Sequence, residues 1–115
     1  MNELTRLINA TRYSWAGIIA AMRSEIAFQV EVFVLPFAIA GALYFGESTT
    51  EKLMLFGSWM LVIVVELLNS AIEAVVDRIG TEHHELSGAA KDMASAAVLL
   101  SLITAVTIWT AIIFD

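Results

Sequence analysis

Apolar residues in this 115-residue chain are concentrated in three long runs that short polar stretches separate. The first run has one acidic residue near its start, the second stays apolar on either side of two glutamates, and the third carries no charge. A transmembrane helix needs about 20 such residues. The pattern therefore predicts three transmembrane helices in a single domain covering residues 1–115. We expect these helices at about residues 28–46, 52–76 and 91–114.

Residues 1–26 show an amphipathic pattern instead. Apolar side chains recur at helical spacing from Leu4 to Met22, with three arginines at other positions. This spacing predicts a helix that lies on the membrane surface. Packing of the same apolar face on the transmembrane helices is an alternative, and the two arrangements are compatible. Gly17 is a candidate break within this helix.

The composition supports a membrane environment. The apolar fraction of 59% and the mean hydropathy of +0.81 exceed what a soluble chain of this size can bury, which disfavours a soluble helical bundle. The chain has no cysteine, so disulfides and thiolate metal sites are excluded. The net charge of −6 and the lack of a basic cluster argue against a nucleic-acid partner.

Basic residues are distributed unevenly around the apolar runs. Three arginines precede the first run, and Arg78 and Lys91 lie in the expected 77–92 loop, whereas the 46–52 loop has only Lys52. The positive-inside rule then places the N-terminus and the 77–92 loop in the cytoplasm. The 46–52 loop and the C-terminus are expected on the opposite side.

The second apolar run ends in a polar stripe. At 100° per residue, the polar side chains of ELLNSAIEAVVDRIG, residues 66–80, fall within an arc of about 100°. Glu66 lies about 20 Å along the helix from Leu53, roughly 10 Å below the cytoplasmic boundary, and Glu73 lies near that boundary. A carboxylate at this depth is costly and marks a functional site, which makes Glu66 a candidate general base. A structural polar contact between helices is the alternative for Glu66, and neutralisation by Arg78 is the alternative for Asp77.

Glu25 lies where the surface helix meets the first transmembrane helix and could approach Glu73. Two carboxylates suit Mg²⁺, since this ion keeps several positions for water and substrate phosphates. Lys91 is either a phosphate contact or a lysine that extends to the membrane interface. The adjacent His83 and His84 are poorly spaced for a transition-metal site. No standard phosphate-binding loop or kinase motif is present, so any nucleotide site is unconventional.

The stretches ELLNSAIEAVVDRIG and HELSGAAKDMASAAVLL, together with YSWAG at 13–17 and SEIAF at 24–28, resemble the small prokaryotic diacylglycerol kinase family in its Gram-negative branch. The resemblance covers almost the whole chain, in order and with matching spacing. It implies an all-α membrane protein with an N-terminal amphipathic surface helix and three transmembrane helices. It further implies a homotrimer with active sites shared between subunits, in the bacterial inner membrane with the C-terminus periplasmic. The implied reaction is phosphorylation of 1,2-diacyl-sn-glycerol by ATP to give phosphatidic acid.

The resemblance also implies residue roles. Glu66 would be the general base, and Glu25 and Glu73 would hold the Mg²⁺ of ATP. Asn69 and Asp77 would order the polar site. The implied nucleotide contacts are Arg6, Tyr13, Glu25, Glu73, Glu82, His83, His84, Lys91 and Asp92. The implied lipid contacts are Arg6, Ser14, Trp15, Glu31, Glu66 and Ser95.

Two positions depart from the family pattern. His83 stands where an aromatic residue is common, and Gln29 stands where a basic residue is common. Three other functions remain as alternatives: an undecaprenol kinase of the same fold, a small multidrug or proton-coupled transporter, and a structural membrane oligomer. The clustering of acids at one cytoplasmic edge of the second helix favours the kinase over the transporter.

Overall fold

Four α-helices make up the computed structural model, which describes residues 2–115. Helix α3 lies between α2 and α4 and packs along both, while α1 contacts α2 and α3 only sparsely. The all-helical architecture predicted from the sequence is confirmed. The helices are α1 (Glu3–Ser24), α2 (Ile26–Phe45), α3 (Thr49–Ile79) and α4 (Glu85–Phe114).

Helices α2, α3 and α4 are each long and apolar enough to cross a membrane. They have 20, 31 and 30 residues, and the mean hydropathy of their most apolar windows is 2.0, 1.9 and 2.3. This finding confirms the expected number of membrane-spanning helices by length and composition. Helix α2 begins at Ile26 and continues through Pro36.

The polar segment between α3 and α4 is shorter than the expected 77–92 loop. Helix α3 continues to Ile79, and α4 already begins at Glu85, so only residues 80–84 are non-helical. The Nδ1 atom of His84 accepts a 3.1 Å hydrogen bond from the backbone N–H of Leu86 and caps α4. Asn and Ser are the usual residues at this position, so the histidine cap gave no clear start signal.

Helix α1 is a single helix that continues through Gly17, so the expected break does not occur. Its only buried residue is Ala21, near its C-terminal end. Packing of α1 on the rest of the chain is therefore confined to that end, where Met22 also joins an apolar cluster with Phe28 and Ile63. The remaining apolar face is open, as a helix on a membrane surface requires.

Two tryptophans link the three long helices. The indole Nε1 of Trp59 in α3 donates to the backbone carbonyl of Glu31 in α2 at 3.0 Å. The indole Nε1 of Trp109 in α4 donates to the carbonyl of Leu55 in α3 at 3.1 Å. The Trp109 ring also lies directly against Gly41 of α2, where an added Cβ would come within 2.9 Å of it. The ring of Trp109 thus reaches from α4 past α3 to contact α2 at Gly41.

Candidate active site

The polar stripe of α3 faces α2 near the α1–α2 junction and forms an acidic cluster there. Glu66 is 5% exposed and Glu31 is 8% exposed. One carboxylate oxygen of each has no hydrogen-bond partner among the described residues. Burying a carboxylate without a partner is costly. The fold therefore keeps two carboxylates in an environment that disfavours their charge.

Charges within this cluster are of one sign. Glu73 and Glu25 both lie close enough to Glu66, and Glu66 close enough to Glu31, for their charges to interact. The two ion pairs found within residues 2–115 involve none of these four carboxylates. Like charges at short range in a poorly polarisable environment repel strongly. The cluster is thus suited to a cation that arrives with a substrate.

Glu73 and Glu25 reach the cluster from different elements. The Asn69 side-chain nitrogen donates a 3.2 Å hydrogen bond to a carboxylate oxygen of Glu73, one turn further along α3. Glu25 is the single residue between α1 and α2, and its side chain does not cap α2. No three His, Asp or Glu side chains in the described chain come together as a complete metal-binding set. Mg²⁺ binds proteins through one or two carboxylates plus phosphates and water, so Glu25 and Glu73 could hold this ion only together with the phosphates of a substrate.

A groove of about 460 Å³ separates α1 from α3 beside this cluster. Its walls are mostly apolar, with Ser14 and Glu25 on one side and Ser70 on the other. The hydroxyl of Ser70 donates to the backbone carbonyl of Glu66 one turn earlier on α3, so the α3 wall of the groove borders Glu66. A mostly apolar groove with a few polar groups in its walls matches an amphipathic ligand.

A second pocket, of about 280 Å³, lies at the turn between α3 and α4. The Lys91 ammonium forms a 2.7 Å salt bridge with Asp77 across the two helices. The ion-pair partner of Asp77 is therefore Lys91 and not the neighbouring Arg78. The sequence-predicted nucleotide contacts that line this pocket are Glu82, His83, His84 and Lys91.

Other predicted contacts lie outside these two pockets. Arg6 is exposed and forms a 2.9 Å salt bridge with Glu3 on its own helix. Tyr13 and Trp15 are 71% and 65% exposed. Asp92 and Ser95 are also exposed, on α4. The structure of one chain does not bring these side chains to the acidic cluster.

Glu31 and Gln29 lie in the first turns of α2. Glu31, expected along the lipid-entry surface, is buried beside Glu66, and its backbone carbonyl accepts from Trp59. Its position three residues after the buried Phe28 was the available sequence signal. The amide of Gln29 bonds to the carbonyl of Met22 at 2.7 Å, a contact that no periodicity predicted.

Comparisons with known proteins agree with the resemblance drawn from the sequence. The family model described as prokaryotic diacylglycerol kinase matches residues 12–113. A protein named diacylglycerol kinase from Escherichia coli (strain K12) is 50% identical over 111 residues, which are 96% of this chain and 91% of that protein. The diacylglycerol kinase of Haemophilus influenzae is 47% identical, with 96% and 94% of the two chains covered. That of Pseudomonas aeruginosa is 44% identical, with 96% and 89% covered. The chain belongs to the prokaryotic diacylglycerol kinase family.

Proposed function

We propose that this membrane protein transfers the γ-phosphoryl group of ATP to the free hydroxyl of 1,2-diacyl-sn-glycerol. The products are phosphatidic acid and ADP. The observation that carries the proposal is Glu66, a buried carboxylate with an unpaired oxygen, placed beside Glu73 and Glu25 on a helix long enough to span a membrane. Relatives that are 44–50% identical over most of the chain carry the name diacylglycerol kinase.

Glu66 is proposed as the general base. Its carboxylate takes the proton of the lipid hydroxyl while the hydroxyl oxygen forms a bond to the γ-phosphorus. The bond from that phosphorus to the β–γ bridging oxygen breaks, and ADP leaves. Catalysis of phosphoryl transfer depends mostly on positioning and on neutralising charge. A base held just below the membrane interface can reach a hydroxyl at the head of a lipid.

Glu25 and Glu73 are proposed to hold the Mg²⁺ of ATP. The ion would neutralise charge on the phosphates and relieve the repulsion among the acidic residues. Asn69 holds the carboxylate of Glu73 in place through its 3.2 Å hydrogen bond. Asp77 holds the ammonium of Lys91 at the loop pocket. That pocket is the proposed place for the polar part of the nucleotide.

The groove between α1 and α3 is proposed as the lipid entry. Ser14 lies in its wall, and Trp15 is the next residue on the exposed face of α1. Neither Glu31 nor Glu66 lines the groove; both are buried beside it. Four predicted substrate or nucleotide contacts are exposed on α1 and α4. They reach a site only if another copy of the chain supplies the opposite surface. These contacts are Arg6, Tyr13, Asp92 and Ser95.

We further propose a homotrimer in the bacterial inner membrane, with the active site on the cytoplasmic side. Glu25 and Glu73 of the acidic cluster stay partly exposed in one chain, and α4 buries only Ala94, Ser101 and Ala105. Light scattering of the purified protein, corrected for bound detergent, should give a protein mass three times the 12.5 kDa of one chain.

A direct lipid comparison tests the proposed substrate. Purified protein in mixed micelles receives Mg-ATP with either diacylglycerol or undecaprenol, and phosphorylated lipid is measured. We expect faster phosphorylation of diacylglycerol. Faster phosphorylation of undecaprenol would instead identify undecaprenol as the substrate. A lack of lipid-dependent ADP release would contradict the kinase proposal altogether.

Replacing the proposed base tests its role. Glu66→Gln keeps the size of the side chain but removes its ability to accept the proton, so kcat should fall by about 10²- to 10⁴-fold. The variant should keep the helicity and oligomeric state of the parent. Leu68→Ala, on the exposed face of the same turn, is the matched control. Near-normal turnover of Glu66→Gln would show that Glu66 is not the base.

A further inference from the structure

The junction between α1 and α2 consists of one residue. Helix α1 ends at Ser24, α2 begins at Ile26, and Glu25 between them has an extended backbone with φ −118° and ψ 109°. A rotation about these two dihedral angles would swing the whole of α1. It would also move the α1 wall of the groove and the carboxylate of Glu25.

One residue of α2, Gln29, is bonded across this junction through its side chain and to the junction through its backbone. The Gln29 side-chain nitrogen, Nε2, donates a 2.7 Å hydrogen bond to the backbone carbonyl of Met22 in α1. The backbone N–H of Gln29 donates to the carbonyl of Glu25 at 3.1 Å. The Met22 carbonyl belongs to the last turn of α1, where carbonyls lack partners within the helix. Gln29 supplies such a partner from the first turn of α2.

Apolar packing near the junction does not replace this bond. Ala21, Phe28 and Ile63 form a buried cluster that holds the C-terminal end of α1 near α2 and α3. Apolar attraction is non-directional, whereas a hydrogen bond depends strongly on distance and angle. The cluster therefore keeps α1 in contact with α2, and the Gln29 bond restricts the angle between the two helices.

We propose that Gln29 is a positioning residue that fixes the angle between α1 and α2 and so holds the Glu25 carboxylate at the acidic cluster. The functional part of this inference rests on the proposed role of Glu25 in holding the Mg²⁺ of ATP. The structural part, the restricted junction, does not depend on any activity. Gln29 itself contacts neither substrate nor metal in this scheme.

The chemistry of the bond defines the variants. Gln29→Met keeps the length of the side chain but has no N–H donor. Gln29→Glu has a similar shape but presents only acceptor oxygens when ionised, which repel the carbonyl of Met22. Gln29→Lys keeps an N–H donor and serves as the rescue variant. Val30→Met, at the exposed neighbouring position, is the matched control for adding a methionine.

Hydrogen–deuterium exchange in detergent micelles measures the junction directly. The N–H of Glu25 donates to the carbonyl of Ala21 at 2.9 Å and reports on the end of α1. In Gln29→Met, amides of residues 24–29 should exchange about five-fold faster, the effect expected from losing one hydrogen bond. Gln29→Glu should exchange at least as fast, while Gln29→Lys and Val30→Met should match the parent. Unchanged exchange in Gln29→Met would overturn the restricted junction.

Kinetics then test the link to Glu25. The Mg²⁺ concentration that gives half-maximal activity should rise about five- to ten-fold in Gln29→Met, with kcat at saturating Mg²⁺ and the KM for lipid nearly unchanged. Gln29→Lys should restore the parent value. Faster exchange without a change in Mg²⁺ requirement would overturn the positioning of Glu25. If the parent phosphorylates no lipid, the proposed function fails, and the exchange measurement still decides whether Gln29 restricts the junction.

Discussion

Glu66 and Glu31 show how far individual residues can be understood from local spacing. The stripe containing Glu66, Asn69 and Glu73 was predictable because helical periodicity alone places these side chains on one face. The spacing of Glu31 and Phe28 indicates a shared face of α2, but the placement of Glu31 beside Glu66 was not predictable, since it depends on how α2 and α3 face each other. The salt bridge between Asp77 and Lys91 joins residues 14 positions apart on two helices and was missed for the same reason.

The salt bridge between Asp77 and Lys91 gives a prediction that separates stability from substrate binding. Both side chains are about half exposed, and exposed ion pairs contribute at most about 1 kcal/mol to stability. Asp77→Asn should therefore leave the melting temperature nearly unchanged. If Asp77 orders Lys91 for the nucleotide, the KM for ATP should rise several-fold, as measured by initial rates over a range of Mg-ATP.

A charge-neutral control completes that test. Thr81→Ala changes an exposed residue of the same pocket without touching the ion pair. It should leave the KM for ATP close to that of the parent. A large loss of thermal stability in Asp77→Asn with an unchanged KM would mean that the pair is structural.

Helices α2, α3 and α4 were predictable as elements because each carries an apolar run close to the length that a membrane requires. Their bounds were less predictable. Helices α3 and α4 extend past the apolar runs into charged sequence. The charge pattern predicts a loop there, but α3 continues to its cap at Gly80 and α4 begins directly after its cap at His84. The role of Gly41 could not be read from the sequence either, because it depends on the distant Trp109.

Gly41 gives a prediction about helix packing. A Cβ at this position would lie 2.9 and 3.0 Å from two carbons of the Trp109 ring. Gly41→Ala should therefore displace α4 from α2 and lower the free energy of unfolding by about 1–3 kcal/mol. Gly57→Ala is the matched control, since nothing lies within 4 Å of its added Cβ. Alanine favours helices over glycine by up to about 1 kcal/mol, so this control should be neutral or stabilising.

Unfolding in detergent measures both variants. The transition is followed by Trp fluorescence or circular dichroism against increasing denaturing detergent. Equal stability of Gly41→Ala and Gly57→Ala would show that Trp109 moves aside without cost. Gly41→Ala should cost less in a Trp109→Phe background than in the parent, because the smaller ring leaves room for the added methyl. Trp109→Phe alone measures the separate loss of the bond to Leu55.

As a whole, the chain is a slab of 48 × 42 × 22 Å that exposes most of its large apolar side chains. Three helices cannot bury these side chains among themselves, and lipid and further copies of the chain are the proposed cover. The acidic cluster and the loop pocket lie toward one end of the slab, near the α1–α2 and α3–α4 junctions. The Glu47–Glu51 end lies opposite. This asymmetry fits a lipid acceptor and a water-soluble donor that meet at one membrane surface.

The orientation of the chain in the membrane can be tested by chemical labelling. Most basic residues lie on the side of the active site, which the positive-inside rule assigns to the cytoplasm. Because the chain has no cysteine, single substitutions give clean labels at the exposed positions Glu47 and Thr81. A membrane-impermeant maleimide added to cells with a permeabilised outer membrane should label Glu47→Cys and not Thr81→Cys. Inverted membrane vesicles should give the opposite pattern, and labelling of Thr81→Cys from the periplasm would reverse the proposed topology.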